Sequence, residues 1–356
     1  MDRRDKADRI IKKTESEGWN EKKDTDTLYR RYDRFKKTED GLAPKIPAEE
    51  MLSYVPEAAE VCDIDVVQVC NIDSTNMTPV YWRLIAETIE THYDSYDGFV
   101  ILHGTDTMAY TSAALSYMIQ RSPKPIVITG AQKPIDMDTT DAKTNLLDSI
   151  IYAADDRSQD VVIVFDGMVI AGTRAKKVRA KSYNAFSSVN FPELAVMLDG
   201  KIVRYIPQRP YTERAVFHKE LNENVVVLKL IPGTRPQLLG YLFENYDCII
   251  IESFGVGGLP ESLVNAFYVE MKHWLSKGKL VVMATQVVNE GSNMEVYEVG
   301  QKVKKEFNLI EAYDMTFEAT VTKTMFLMQE CGGDAERFRE AFYRTVNFDI
   351  LYTRKS

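Results

Sequence analysis

From about Glu60 to Ala154, short β-branched runs alternate with stretches in which apolar residues recur at three- and four-residue intervals. The runs are Asp65 to Asp73, Phe99 to His103 and Pro125 to Gly130. The helix-like stretches are Val80 to Tyr93, Thr107 to Ile119 and Asp141 to Ala153. Strands alternating with helices of this length predict a parallel sheet with right-handed crossovers, which Val161 to Asp166 continues. A second series begins at Val225 with VVVLKLIPG and goes on through Cys248 to Ser253 and Leu280 to Val288, predicting a smaller C-terminal α/β domain. Between the two series, from about Leu198 to Asn224, the text IPQRPYTER reads as a connection. The expected division is an N-terminal domain over 38–210, a linker over 211–224 and a C-terminal domain over 225–356. Open parallel sheets hold ligands beyond the carboxyl ends of their strands. Candidate chemistry is therefore sought just after Cys70, Leu102, Ile128 and Phe165.

Length and composition fit this picture. A chain of 356 residues, 45% hydrophobic and 27% charged, is comfortable as two domains with a core each. The net charge of −9 argues against a nucleic-acid partner, because neutralising phosphates needs a basic surface. The four cysteines form no CxxC pair, which suits a reducing compartment. No run approaches the ~20 apolar residues of a membrane span, and the first residues lack an apolar core of signal-peptide length. The expected location is the cytoplasm. Four histidines, none at ligand spacing, imply neither a metal nor a cofactor; His103 reads most simply as a packed strand-end residue.

The richest segment is GFVILHGTDTMAYTSAALSYMIQ, Gly98 to Gln120, in which a buried strand and a glycine turn lead to Thr105, Asp106 and Thr107 at the start of a helix. The apolar face of that helix is Met108, Leu115, Met118 and Ile119. Thr and Asp at such a place can simply cap free backbone N–H groups. The same geometry can also offer a hydroxyl, a carboxylate and amide donors to a ligand. Further on, Arg174, Lys176, Lys177, Arg179 and Lys181 would ordinarily form a solvated basic face.

HGTDTM resembles an active-site signature of the bacterial L-asparaginase family, cytoplasmic type. NIDSTNMTP, Asn71 to Pro79, is similar to that family's loop for the substrate carboxylate, with its Asp-Ser pair at Asp73 and Ser74. ITGAQKP, VIAGTRAKKVRAKSYNAFSS, SFGVGGLPE and YDMTFEATVTK continue the likeness, which covers nearly nine-tenths of the chain, from about Thr38 onward. The resemblance implies a two-domain α/β amidohydrolase without cofactor or metal. It assigns Thr105 as a catalytic threonine, Asp106 as the carboxylate that pairs with the substrate ammonium, and Lys177 as the proton-accepting partner, with Lys176 the neighbour to test next. Substrate binding falls to Asp73, Ser74, Thr75, Thr105 and Asp106. The chemistry is coherent: a threonine hydroxyl is a weak nucleophile at neutral pH and needs an adjacent base, which a lysine oriented by a carboxylate can supply. Thr75 and Asn76 depart from the family's usual residues but keep a hydroxyl and an amide for hydrogen bonding.

Active members of the family begin with a strand and a Thr-Gly-Gly-Thr loop whose first threonine attacks the amide. This chain has no such motif, and 22 of its first 37 residues are charged, the composition of a disordered tail. Read one base out of register from Asn20 onward, codons compatible with the sequence spell Met-Lys-Lys-Lys-Ile-Leu-Ile-Leu-Tyr-Thr-Gly-Gly-Thr-Ile-Gly-Ser. Tyr29 gives two bases to a Thr codon, Arg30 and Arg31 to Gly codons, Tyr32 to Thr and Asp33 to Ile. The expectation is that 1–37 is an out-of-frame, poorly ordered segment and that the literal polypeptide lacks its nucleophile. A non-catalytic amino-acid-binding paralogue and the amidotransferase subunit that frees ammonia for tRNA-dependent amidation are the alternatives; the additional N-terminal domain of the latter is not recognisable here. The expected partners are a small-molecule amide, L-asparagine or L-glutamine, and further copies of the chain in a homodimer or homotetramer.

Overall fold

The computed structural model describes residues 35–38, 41–44 and 48–352, apart from 297 and 308. Of the segment expected to be poorly ordered, 1–37, residues 1–34 lie outside them, while Phe35 to Lys37 belong to a strand. Phe35–Thr38 pairs antiparallel with Gly41–Pro44. The chain divides into two compact units: the first runs to Ser188 and takes up Pro192–Lys219, and the second comprises Val189–Phe191 and the residues from Glu220 on.

In the first unit the strands are β1 (Phe99–Leu102), β2 (Pro125–Thr129), β3 (Asp160–Phe165), β4 (Met168–Ala171), β5 (Ala175–Lys177), β6 (Phe186–Ser188), β7 (Ala195–Leu198) and β8 (Lys201–Arg204). The main sheet has the order β8-β7-β4-β3-β2-β1. β1, β2 and β3 are parallel, with Phe99 opposite Ile126 and Pro125 opposite Asp160. The expected parallel sheet is thus extended by antiparallel strands, because the two-residue turn Asp166–Gly167 reverses the chain after β3, and β4, β7 and β8 follow as antiparallel neighbours. Both turn residues have positive φ, 51° and 72°, the left-handed conformations that so tight a turn requires.

The helices are α1 (Pro79–His92), α2 (Met108–Met118) and α3 (Ala142–Ala153). Pro79 starts α1, where its missing N–H costs nothing. Leu146 and Ile150 of α3 join Met51, Val55 and Ala58 in one core, against which Val100 and Leu102 pack. Phe99 points to the other face of the sheet and stacks on Tyr93, centroids 5.9 Å apart. A parallel sheet covered on both faces reads as continuous apolar runs, as PIVIT and DVVIVF do. Burial of α2 goes well beyond its expected apolar face, since ten of its eleven residues are buried. Its small polar residues are satisfied internally: Ser112 Oγ donates to Gly172 O at 2.7 Å and Ser116 Oγ to Ser112 O at 2.7 Å.

Val66 to Cys70, expected within a strand, joins no sheet. Its β-branched residues favour extension, yet a strand also needs a hydrogen-bonded neighbour, and none of the described strands pairs with it. The stretch expected as a linker contains Val216–Phe217, which pairs with Ile119–Gln120.

The second unit is a four-stranded parallel sheet, β9 (Val225–Lys229), β10 (Cys248–Ser253), β11 (Leu280–Thr285) and β12 (Ile310–Glu311), in that order. Its buried helix α4 (Phe317–Glu330) carries Lys323, whose ammonium meets Asp349 at 2.6 Å and Arg344 O at 2.9 Å.

Gly98 sets the start of β1. A Cβ there would lie 2.3 Å from the carbonyl oxygen of Ala153 at the end of α3. Because that oxygen is backbone, the helix end must move. Gly98→Ala is expected to lower unfolding free energy by about 2–3 kcal/mol, measured by urea denaturation with unchanged m-value.

Candidate active site

The residues singled out after β1 meet those of β5. Lys177 Nζ donates to Thr105 Oγ1 at 2.7 Å and to Asp106 Oδ1 at 2.6 Å. The hairpin of β5 and β6, paired from Ala175–Ser188 to Lys177–Phe186, projects the lysine there. The side chain of Lys177 is 17% exposed and that of Asp106 59%, so the pair has one sheltered and one open member. The basic stretch is not a uniform solvated face: Arg174 is fully buried, while Arg179 and Lys181 are exposed.

Thr105 Oγ1 in turn donates to Gln132 Oε1 at 3.2 Å. Gln132 follows β2, and its amide nitrogen donates to Ser182 O at 3.1 Å. Its backbone N–H and that of Lys133 donate to the carboxylate of Asp141, at 2.9 Å and 3.0 Å. Asp141 also accepts from Asn145 Nδ2 at 3.3 Å. Gln132 and Asp141 were not among the expected site residues. The signal for Gln132 was its place just beyond the carboxyl end of β2, the same rule that led to Thr105.

Thr107 does not cap α2. Its Oγ1 donates instead to the carbonyl oxygen of Ser74, 2.8 Å away. Ser74 is buried, and a Cβ on Gly104 would stand 2.6 Å from its Oγ, so the absent side chain of Gly104 is what lets the two loops meet. Asp73 and Thr75 face each other: Asp73 Oδ1 accepts from the Thr75 N–H at 2.8 Å and from Thr75 Oγ1 at 2.7 Å, closing a turn that starts the 3-10 segment Ser74–Asn76. Thr105, Asp106 and Lys177 are therefore in direct contact, Ser74 adjoins them through Gly104 and Thr107, and Asp73 and Thr75 bond to each other.

His103 is held by a chain of hydrogen bonds. Trp82 Nε1 donates to Thr111 Oγ1 at 2.9 Å, which leaves the Thr111 hydroxyl to donate to His103 Nε2 at 2.8 Å. His103 Nδ1 then donates to Gly104 O at 2.6 Å. Both ring nitrogens are occupied, and burial holds the imidazole neutral, its pKa pushed down to about 4 although the bond to Gly104 opposes the shift. Among the described residues no group of three or more His, Cys, Asp or Glu is arranged to hold a metal ion. None of their helices is long and apolar enough to cross a membrane.

A hydrolase-like α/β unit with a threonine, a lysine and a carboxylate at its strand ends defines the class. Two family models match the chain, "Asparaginase, N-terminal" over residues 34–210 and "Glutaminase/Asparaginase C-terminal domain" over residues 224–342. The chain belongs to the asparaginase family. It is 36% identical over 316 residues to the L-asparaginase of Thermococcus kodakarensis, covering 88% of this chain and 94% of that protein. It is 36% identical over 284 residues to L-asparaginase 1 of Escherichia coli K12, covering 78% of this chain and 82% of that protein. A component of the glutamyl-tRNA(Gln) amidotransferase of Methanosphaera stadtmanae is 35% identical over 296 residues, covering 80% of this chain and 66% of that component. The solved structure of the thermostable L-asparaginase from Thermococcus kodakarensis superposes with a TM-score of 0.82 at 34% identity, over 90% of this chain and 96% of that one.

The neutral His103 makes a pH prediction. An ordinary histidine titrates near 6.5 in the unfolded chain, and the folded value is lower. Between these values the unfolded state binds the extra proton, so the stability present above about pH 6.5 is lost as pH falls toward 4. The loss attributable to this residue is on the order of 3 kcal/mol. Urea titrations of the parent and His103→Gln at pH 7 and pH 4.5 are expected to show a smaller stability difference at the lower pH; an unchanged difference contradicts the assignment.

Proposed function

We propose that this chain is an L-asparaginase in design, built to hydrolyse the side-chain amide of L-asparagine to L-aspartate and ammonia, and that Thr105, Asp106 and Lys177 are the part of the catalytic apparatus its written sequence carries. The observation that supports this reading is the simultaneous contact of Lys177 Nζ with Thr105 Oγ1 and Asp106 Oδ1. Lys177 in its amine form takes the proton of a threonine hydroxyl, and Thr105 stands within proton-transfer distance of it. A nucleophilic threonine would form an ester with the amide carbon as the C–N bond breaks. Its hydroxyl proton leaves with the nitrogen as ammonia, and water then cleaves the ester. Asp106, open to solvent on one side, pairs with the substrate ammonium. Ser74 and the turn held by Asp73 and Thr75 receive the α-carboxylate. We place the protein in the cytoplasm as a homodimer or homotetramer.

The written sequence contains no Thr-Gly-Gly-Thr segment. That observation favours one second reading, an amino-acid-binding protein without turnover. Ammonia release from L-asparagine separates the two. The literal chain is expected to turn over on the order of 10⁶-fold more slowly than a chain in which Met1 to Phe35 are replaced by the shifted-frame peptide, since a nucleophile is then restored. In the repaired chain, changing the first loop threonine to alanine abolishes release. Lys177→Met lowers kcat by roughly 10²–10⁴-fold, whereas Lys176→Met changes it little. A repaired protein that folds, binds aspartate and still releases no ammonia sinks the enzyme reading in favour of the binding protein.

A further inference from the structure

Among the described strands β5 and β6 pair only with each other, outside the six-stranded order. The position of Lys177 is therefore not set by the ladder of the main sheet. The base of this hairpin is seated by packing: Ala175 and Ala185 are buried, and Phe186 meets Phe165 edge-on with centroids 5.0 Å apart. Its turn is open, with Val178 to Ser182 and Asn184 exposed. Lys177 is the last residue of β5, where the seated base gives way to the open turn. A long side chain that must keep two contacts at its tip needs its backbone held, because each freely rotating bond dilutes the productive arrangement. The turn is fastened to the loop after β2. The Tyr183 hydroxyl donates to Thr139 O at 3.1 Å, and Lys133 Nζ lies 5.3 Å from the centroid of the same ring. Gln132 Nε2 adds its bond to Ser182 O at 3.1 Å. The receiving loop is itself fixed: the Asp141 carboxylate accepts from the Lys133 N–H, Thr140 Oγ1 donates to Lys133 O at 2.9 Å, and Ile135 is buried.

We propose that Tyr183 is a positioning residue for Lys177: braced on Lys133 and Thr139, it fixes the turn of the β5–β6 hairpin and through it holds the Lys177 ammonium on Thr105 and Asp106. The brace rests on the contacts alone; its service to a proton transfer rests on the function proposed above. The path from one residue to the other is short. Tyr183 O accepts from the Ala185 N–H at 2.7 Å, and Ala185 O accepts from the N–H of Val178 at 2.8 Å and of Arg179 at 3.2 Å. Val178 follows Lys177 directly, so a shift of Tyr183 reaches the lysine backbone through two backbone bonds. Gln132 closes the arrangement into a ring: it accepts from Thr105 Oγ1, which accepts from Lys177 Nζ, and it donates to the turn that carries Lys177. The hydroxyl and the ring of Tyr183 act separately. Each contact is modest by itself, an exposed hydrogen bond and an exposed cation–π contact. Loss of the whole side chain removes both at once, whereas loss of the hydroxyl leaves the ring on Lys133.

The test reads Lys177 in the full chain and needs no turnover. Trace acetylation with acetic anhydride at pH 8, followed by mass spectrometry of the peptides, gives a rate for each lysine. Lys177, whose side chain is 17% exposed, is sheltered in the parent, and exposed Lys201 serves as the reference amine. Tyr183→Ala is expected to raise the Lys177 rate at least about fivefold relative to Lys201 by opening the turn locally. Tyr183→Phe is expected to raise it less than twofold or so, because the ring still rests on Lys133. Lys124, which donates to the carbonyls of Tyr93 and Tyr96 in the same unit, is the control for general loosening. A rise of Lys177 and Lys124 together marks a merely structural tyrosine and overturns the proposal, as does a Lys177 rate unchanged in Tyr183→Ala. Should Tyr183→Ala not fold, the double change Lys133→Met with Tyr183→Phe carries the test: a selective rise of Lys177 above that of Tyr183→Phe supports the brace, and no rise overturns it. The brace fails on these rates and the asparaginase reading on ammonia release, so the two are tested apart.

Discussion

The junction of two loops at Gly104 fixes the geometry on which the site depends. Thr107 commits its hydroxyl to Ser74 O rather than to its own helix, and Gly104 leaves room for the Ser74 side chain. This ties the loop after Val66–Cys70 to the loop after β1, so that Ser74, Thr105 and Asp106 are carried on one rigid corner. The corner is stiffened from beneath by the Trp82–Thr111–His103–Gly104 chain, whose side chains are buried. Fully satisfied buried networks of this kind specify a single arrangement, because any alternative leaves a polar group unpaired in a low-dielectric interior.

The parallel core was legible in the sequence because its strands are apolar throughout and its helices follow at regular intervals. Thr105 and Asp106 were marked by motif and by their place after a strand, whereas Lys177 was singled out from its basic neighbours by the family resemblance alone. Three features were not legible, each for a physical reason. Thr107 looks like a cap because local chemistry favours capping, and only the distant Ser74 carbonyl diverts it. Gln132 has no distinctive pattern of its own; its contact with Thr105 is across β1 and β2, 27 residues away in sequence. Val66 to Cys70 has the composition of a strand, yet strand formation is a property of pairs of segments, and none of the described strands pairs with it.

The second unit makes a different use of polar groups. Lys323 and Asp349 are both buried, and burial pulls the lysine pKa down against the attraction of its carboxylate partner. Replacing such a pair by apolar residues is often neutral, whereas removing one partner leaves a charge uncompensated. The pair therefore holds the residues after α4 in register more by penalising departures than by adding net stability. The same reasoning separates it from Lys177 and Asp106, where the carboxylate is largely open to solvent and only the lysine is sheltered.

That openness bears on catalysis. The proposed function asks Lys177 both to hold a position and to move a proton, duties that a fully buried ion pair would oppose. In the function proposed above, an arriving ammonium shares the Asp106 carboxylate, whose side chain is 59% exposed. Thr105 does not lose its place in the exchange, because Gln132 accepts its hydrogen bond from the other side and is itself anchored through its backbone by Asp141. Under the proposed function the two duties fall to different residues: Gln132 and Asp141 hold the threonine in position, and Asp106 is the one that meets the ligand.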